Sequence, residues 1–122
     1  MPDMRSVITS LVVSALFVSL SANAACSRNE HGVFEDVPCA ADALAKADRE
    51  LNELYRKVLS QVTSEEQKKL RASQRAWLAY RDSSSTFIYA VEGDGSAGRM
   101  VAANQREQAT RARIKELRSW LR

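Results

Sequence analysis

Thr63-Ser64-Glu65-Glu66-Gln67-Lys68-Lys69-Leu70 opens the stretch that decides the fold, which then runs to Glu92 without a proline or a glycine. Thr63 followed three residues later by Glu66 is a capping box: the hydroxyl accepts a first-turn amide while the carboxylate accepts the free amide of Thr63. Glu65 and Glu66 also lie where a helix dipole favours negative charge. Leu70, Trp77, Leu78, Phe87, Ile88 and Val91 supply the apolar stripe, and the spacing predicts a helix to about Glu92, where Gly93-Asp94-Gly95-Ser96 ends it.

Working upstream, Leu44, Ala47, Leu51, Leu54, Tyr55, Val58 and Val62 recur at three- and four-residue steps, which predicts an amphipathic helix from about Asp42 to Val62. Downstream, Ser96 is expected to cap a third helix whose stripe is Met100, Ala103, Thr110, Ile114, Leu117 and Leu121. Residues 25–41 have no clear period and hold Gly32, Pro38 and both cysteines, so they read as an N-terminal loop. Helices joined by short connections predict an all-α fold, a small antiparallel bundle of about three helices with a disulfide-tied N-terminal loop. No strand pattern, internal repeat or low-complexity tract competes.

The first two dozen residues read as a secretory signal. Arg5 gives a positive start, Val7 to Leu20 an apolar core, and Ala22-Asn23-Ala24 the small-x-small pattern of a cleavage site. The apolar run is shorter than the roughly 20 residues that span a bilayer, so membrane contact is expected only through this transient segment. Asn23 stands where a lipobox would need an aliphatic residue before Cys26, which disfavours a lipoprotein. The expected organisation is therefore a signal peptide over 1–24 and one helical domain over 25–122, periplasmic or secreted. A domain of about 98 residues has a modest core and gains from a staple. Cys26 and Cys39 are the only cysteines, an exported location permits their oxidation, and only one intramolecular pairing is available. Such a bridge adds on the order of 3 kcal/mol by restricting the unfolded chain. A metal centre would need more ligands than these and the lone His31, and no metal or other cofactor is expected.

Formal charge divides unevenly along the chain. Ser27 to Glu66 holds five Lys/Arg against nine Asp/Glu, whereas Gln67 to Arg122 holds twelve against five. Solvated helix faces that attract one another on packing account for this pattern, and a basic patch for an anionic partner is the alternative. Nucleic acid is not an expected partner: an exported chain does not meet it, and no recognised binding motif is present.

Catalytic chemistry finds little support. His31 is the only histidine and stands beside Gly32 in the loop, which favours a surface residue over a catalyst. Ser83-Ser84-Ser85 falls inside a helix with no nucleophile elbow. Gly93 to Gly98 lacks both the lysine of a phosphate loop and the repeated acids of a calcium loop. The chain is thus not expected to be an enzyme. Gln74, Trp77 and Arg81 share a helix face, with Asp82 at its edge. Arg81 is expected to fork to Asp48 or Glu50, and Trp77 to fill the core with its indole N–H bonded to a neighbour.

Cys39-Ala40, Ala47-Asp48-Arg49-Glu50-Leu51-Asn52-Glu53-Leu54-Tyr55 and Leu70-Arg71-Ala72-Ser73-Gln74-Arg75-Ala76-Trp77-Leu78-Ala79-Tyr80-Arg81-Asp82 resemble the LprI-type lysozyme-inhibitor domain family. The likeness continues through Gly95-Ser96 to Thr110-Arg111-Ala112-Arg113-Ile114-Lys115-Glu116-Leu117. It implies an exported, helical, disulfide-containing domain that inhibits lysozyme by direct binding. Asn52, Tyr55, Gln74, Trp77, Arg81 and Asp82, read from the residues themselves, are expected to form a structural polar network. Many relatives carry a second cysteine pair, whose places here are Ser85 and Gln105; the clamp between the second and third helices is therefore missing.

A muramidase cleft works through two carboxylates, so an inhibitor needs a protruding segment offering donors or a cation. The connector with Asp94, Ser96 and Arg99 is the first candidate contact. The acidic face formed by Asp48, Glu50 and Glu53 is its rival, because animal lysozymes are typically basic. Other readings are an immunity or partner-binding protein directed at another cell-wall hydrolase, and a structural envelope protein contacting anionic lipid or glycan. Apolar surface left over on the long helices also raises a homodimer.

Overall fold

The computed structural model describes residues 25–122. The signal peptide expected over 1–24 lies outside the described residues. Three helices follow in order: α1 (Val37–Ser60), α2 (Ser64–Glu92) and α3 (Ser96–Ser119). Among the described residues there is no strand and no helix long and apolar enough to cross a membrane.

Helix α1 begins five residues before the expected start. Asp36 caps it, its carboxylate accepting the Cys39 amide at 2.9 Å. Pro38 sits in the first turn, where a residue without an N–H loses nothing and its fixed φ already suits a helix. The proline read as a breaker is therefore part of a start signal, and the N-terminal loop shortens to residues 25–36. Cys39 thus lies on α1, and its disulfide to Cys26, with Cα atoms 5.4 Å apart, ties the loop to the first helical turn.

The capping box at α2 is complete, with Thr63 Oγ1 accepting the Glu66 amide at 3.3 Å and Glu66 Oε2 accepting the Thr63 amide at 2.8 Å. These bonds, the backbone amide of Thr63 first, hold the Glu66 carboxyl below its usual pKa. Ser96, by contrast, does not cap α3. It is the first helical residue, and Gly95 stands at the cap without a side chain to bond.

Helix α3 lies between the other two. Along α1, contacts advance in step with α3, from Phe34 beside Asn104 to Gln61 beside the chain end at Arg122, so the two helices run parallel. Along α2 they run oppositely, from Ser85 against Ala102 through Arg81 against Thr110 to Gln74 against Arg113. The up-down-up order follows from the two short connections.

The two seams of α3 differ chemically. Against α1, Ala47, Leu51 and Val58 pack with Ile114 and Leu117, joined by Leu70 of α2. Ala40 and Ala43 let α3 approach closely enough for Ala103 to pack beside Phe34. Leu51 and Leu117 are among the largest fully buried side chains, each stabilising by about 2–3 kcal/mol. Against α2 the buried residues below Leu70 are Gln74, Arg81 and Ser85. Two of the six residues of the expected apolar stripe of α2 face the other way: Phe87 and Val91 are 68% and 64% exposed. Polar side chains that reach α3 decide which face of α2 is buried, because each guanidinium or amide taken from water needs a partner there.

Candidate functional site

Arg81 is the hub of the polar seam. Its side chain, 6% exposed, donates from NH1 to Asp48 Oδ1 at 2.7 Å and to Thr110 Oγ1 at 3.1 Å, and from Nε to Asp82 Oδ1 at 3.0 Å. One residue thereby links all three helices. Glu50 is not its partner; that carboxylate accepts Arg111 at 2.6 Å and also Arg118. Gln74 Oε1 accepts Arg113 Nε at 3.1 Å. Trp77 makes no indole hydrogen bond within this ladder; Arg81 and Arg113 instead face its ring, 5.2 and 5.9 Å from the centroid. Tyr55 packs half-buried against the α1–α3 core, while Asn52 is exposed on α1 and stands outside the ladder.

Ser85 and Gln105 occupy the two places that the family resemblance assigns to a second bridge. Ser85 is buried and its hydroxyl reaches the Ala102 carbonyl at 3.4 Å. Gln105, one turn further along α3, keeps a buried Oε1 without a hydrogen bond among the described residues.

A second polar cluster holds the N-terminal loop and went unnoticed in the sequence. Glu107, 1% exposed, receives Arg28 through both oxygens at 2.8 and 3.2 Å and Arg111 at 3.1 Å. Burial by itself would raise its pKa, but the hydrogen bonds and charge of Arg28 and Arg111 outweigh that and hold it below the usual carboxylate value. The same contact with Glu107, then that with Glu50, raises the pKa of Arg111. Asn104 completes the strap by accepting the Phe34 amide at 2.8 Å and donating to the Phe34 carbonyl at 2.7 Å. Arg28 also stacks 4.3 Å from the Phe34 centroid. Only the basic residue in the loop and an acid at a buried α3 position signalled this in advance, and a 79-residue separation hides such pairs from local pattern.

The acidic face of α1 is therefore largely occupied. Asp48 serves Arg81, Glu50 serves Arg111 and Arg118, and only Glu53 of the three is exposed without an ion pair among the described residues. The tip between α2 and α3 is different. Asp94, Ser96 and Arg99 are all exposed, and none of their side chains has a hydrogen bond or ion pair among the described residues. The backbone beneath them is braced. Gly93 has φ +91°, which L side chains rarely adopt, and a Cβ on buried Gly98 would collide with the Gly93 carbonyl. Tyr89 Oη donates to the Asp94 carbonyl at 2.7 Å. One acid, one hydroxyl and one guanidinium are thus displayed on a turn braced by Tyr89 and by the close approach of Gly98 to Gly93. Beside it lies a groove of about 500 Å³ lined by Leu44, Tyr89, Arg99, Ala102, Ala103 and Arg106 among others. No group of His, Cys, Asp and Glu suited to a metal occurs among the described residues.

A disulfide-tied three-helix domain with interior ion pairs and a bare, braced tip has the form of a small binding protein. The family described as lysozyme inhibitor LprI matches residues 25–117, and the chain belongs to that family. No curated protein and no solved structure matches it.

Proposed function

We propose that the protein is exported and inhibits a lysozyme by direct protein–protein occlusion, with the tip between α2 and α3 entering or covering the muramidase cleft. Family membership supports the activity, and a signal-like leader with a disulfide supports the compartment. The observation that carries the choice of surface is the contrast in satisfaction of charge. The carboxylates Asp48 and Glu50 would have to break internal ion pairs to meet a target, whereas Asp94, Ser96 and Arg99 are free to do so.

The chemistry fits a cleft built on two carboxylates. Arg99 supplies a cation and Ser96 a neutral donor for those acids, while Asp94 matches a basic rim. Because Gly93, Gly98 and Tyr89 already fix the turn, little loop entropy is lost on docking. On this reading the chain binds and does not catalyse.

The test is the lysis of cell-wall suspensions by several lysozyme classes, with and without the purified exported protein in micromolar excess. Slowed lysis by at least one class is expected, together with a stable complex on a sizing column. Undiminished lysis by every class would overturn the proposal. Cleavage after Ala24 is checked separately by mass, which should place Ala25 at the N-terminus.

A further inference from the structure

The groove beside the α2–α3 tip is walled by α1 and α2 and floored by α3, and its volume of about 500 Å³ falls in the range of ligand clefts. Ala41 and Leu44 stand on the first wall, Ser85 and Tyr89 on the second, and Ala102 and Ala103 on the floor. One turn beyond Leu44, Ser85 and Arg106 come Asp48, Arg81 and Thr110, and these three are joined by the Arg81 hydrogen bonds at 2.7 and 3.1 Å. The groove is therefore blind at that end and open toward the tip.

Two guanidiniums line it and, among the described residues, no carboxylate does. Arg106 stands at the blind end, and its hold within the chain is slight. Its Nη2 donates to Asp82 Oδ1 at 3.2 Å, an oxygen that Arg81 Nε already occupies at 3.0 Å. Its Nε is buried without a hydrogen bond among the described residues. A buried N–H left without an acceptor costs free energy that an incoming acceptor recovers once the side chain turns toward it. Arg99 lies two turns nearer the mouth on the same side of α3, about 10 Å away along the axis. Of the acids beside the groove, Asp82 is shared between Arg81 and Arg106, and Asp94 belongs to the exposed tip beyond Arg99.

We propose that this groove binds the free C-terminal end of a peptide with small apolar side chains. An internal segment would have to leave through the end that Arg81 closes, whereas a chain terminus can stop there. The terminal carboxylate meets Arg106, whose planar guanidinium presents paired N–H groups to two oxygens. Ala41, Ala102 and Ala103 give an apolar channel beside that cation, which suits short alkyl side chains. Arg99 at the mouth draws the anionic end inward. The site differs in kind from the lysozyme contact: here a ligand enters the protein, whereas at the tip the protein enters the enzyme.

The experiment is a titration of the purified exported protein with N-acetyl-trialanine carrying a free carboxylate, to about 10 mM, followed by amide-resolved NMR. Saturable shifts are expected at Leu44, Thr86, Ala102 and Ala103 and not at Leu51 or Leu117. Two control peptides are the trialanine amide and an Ala-Glu-Ala amide, which carries the same net charge on a side chain. Each should bind at least about tenfold more weakly. Arg106→Gln should weaken binding by about tenfold, and Ala41→Trp, which fills the groove from an exposed position, should abolish it. Circular dichroism verifies that both variants are folded. No saturable shift with the free acid, equal binding of either amide, or binding indifferent to either substitution would overturn the proposal. Because the titration contains no lysozyme, its failure is distinct from a failure of inhibition.

Discussion

Helix α3 is held on one side by alkyl groups and on the other by guanidiniums, and the two seams do different work. Toward α1 it buries Ile114 and Leu117 against Leu51 and Val58. Toward α2 it meets Gln74, Arg81 and Ser85. The apolar seam contributes most of the burial free energy, which depends on area and not on direction. The polar seam contributes less per residue but fixes register, because Arg81 satisfies Asp48, Asp82 and Thr110 in only one alignment. It also turns Tyr80, Phe87 and Val91 outward, so a helix with enough apolar residues for a core exposes many of them.

Leu117→Ala tests the apolar seam and should cost the most, about 3–4 kcal/mol, read as a lowered denaturant midpoint. Reducing the Cys26–Cys39 bond should cost about 3 kcal/mol and should release residues 25–36 to hydrogen exchange before the α1–α3 core. Simultaneous loss of both regions would erase the distinction between strap and bundle. Arg81→Met breaks the polar seam and should cost about 2 kcal/mol, less than loss of a fully buried pair because Asp48 and Asp82 keep access to water. Thr63→Ala removes a cap outside either seam and should cost about 1 kcal/mol.

Acid sharpens the comparison further. The Glu107 carboxyl has a lower pKa folded than unfolded, so its contribution is fully present above the unfolded value and is lost as pH falls through the folded one. Amides of residues 28–34 should therefore lose exchange protection below the ordinary glutamate range while Leu51 and Leu117 keep theirs. Glu107→Gln should abolish that pH dependence.

Local signals in the sequence were read well where the physics is local. The capping box at Thr63 and Glu66, the breaker at Gly93 and the α1 stripe through Leu51 and Val58 each act within a turn or two. Pro38 misled because the same residue ends one helix and begins another, and Asp36 two positions before it decides which. The α2 stripe misled because counting apolar residues ignores Arg81 and Gln74, whose burial depends on Thr110 and Arg113 far along the chain. Glu107 escaped notice for the same reason. Among the candidate contacts, the sequence put Asp94, Ser96 and Arg99 first and the face of Asp48, Glu50 and Glu53 as a rival; the tertiary ion pairs that occupy Asp48 and Glu50 separate them further.

The most direct measurement is the inhibition constant of three proteins against whichever lysozyme the native chain inhibits best: the native chain, the double variant Asp94→Ala/Arg99→Ala and the variant Glu53→Ala. The tip variant should weaken inhibition at least tenfold, about 1.4 kcal/mol, with its melting temperature unchanged, and Glu53→Ala should stay within about twofold. A tip variant as potent as the native chain, or a Glu53→Ala protein that loses inhibition, would contradict the assignment of the tip as the binding surface.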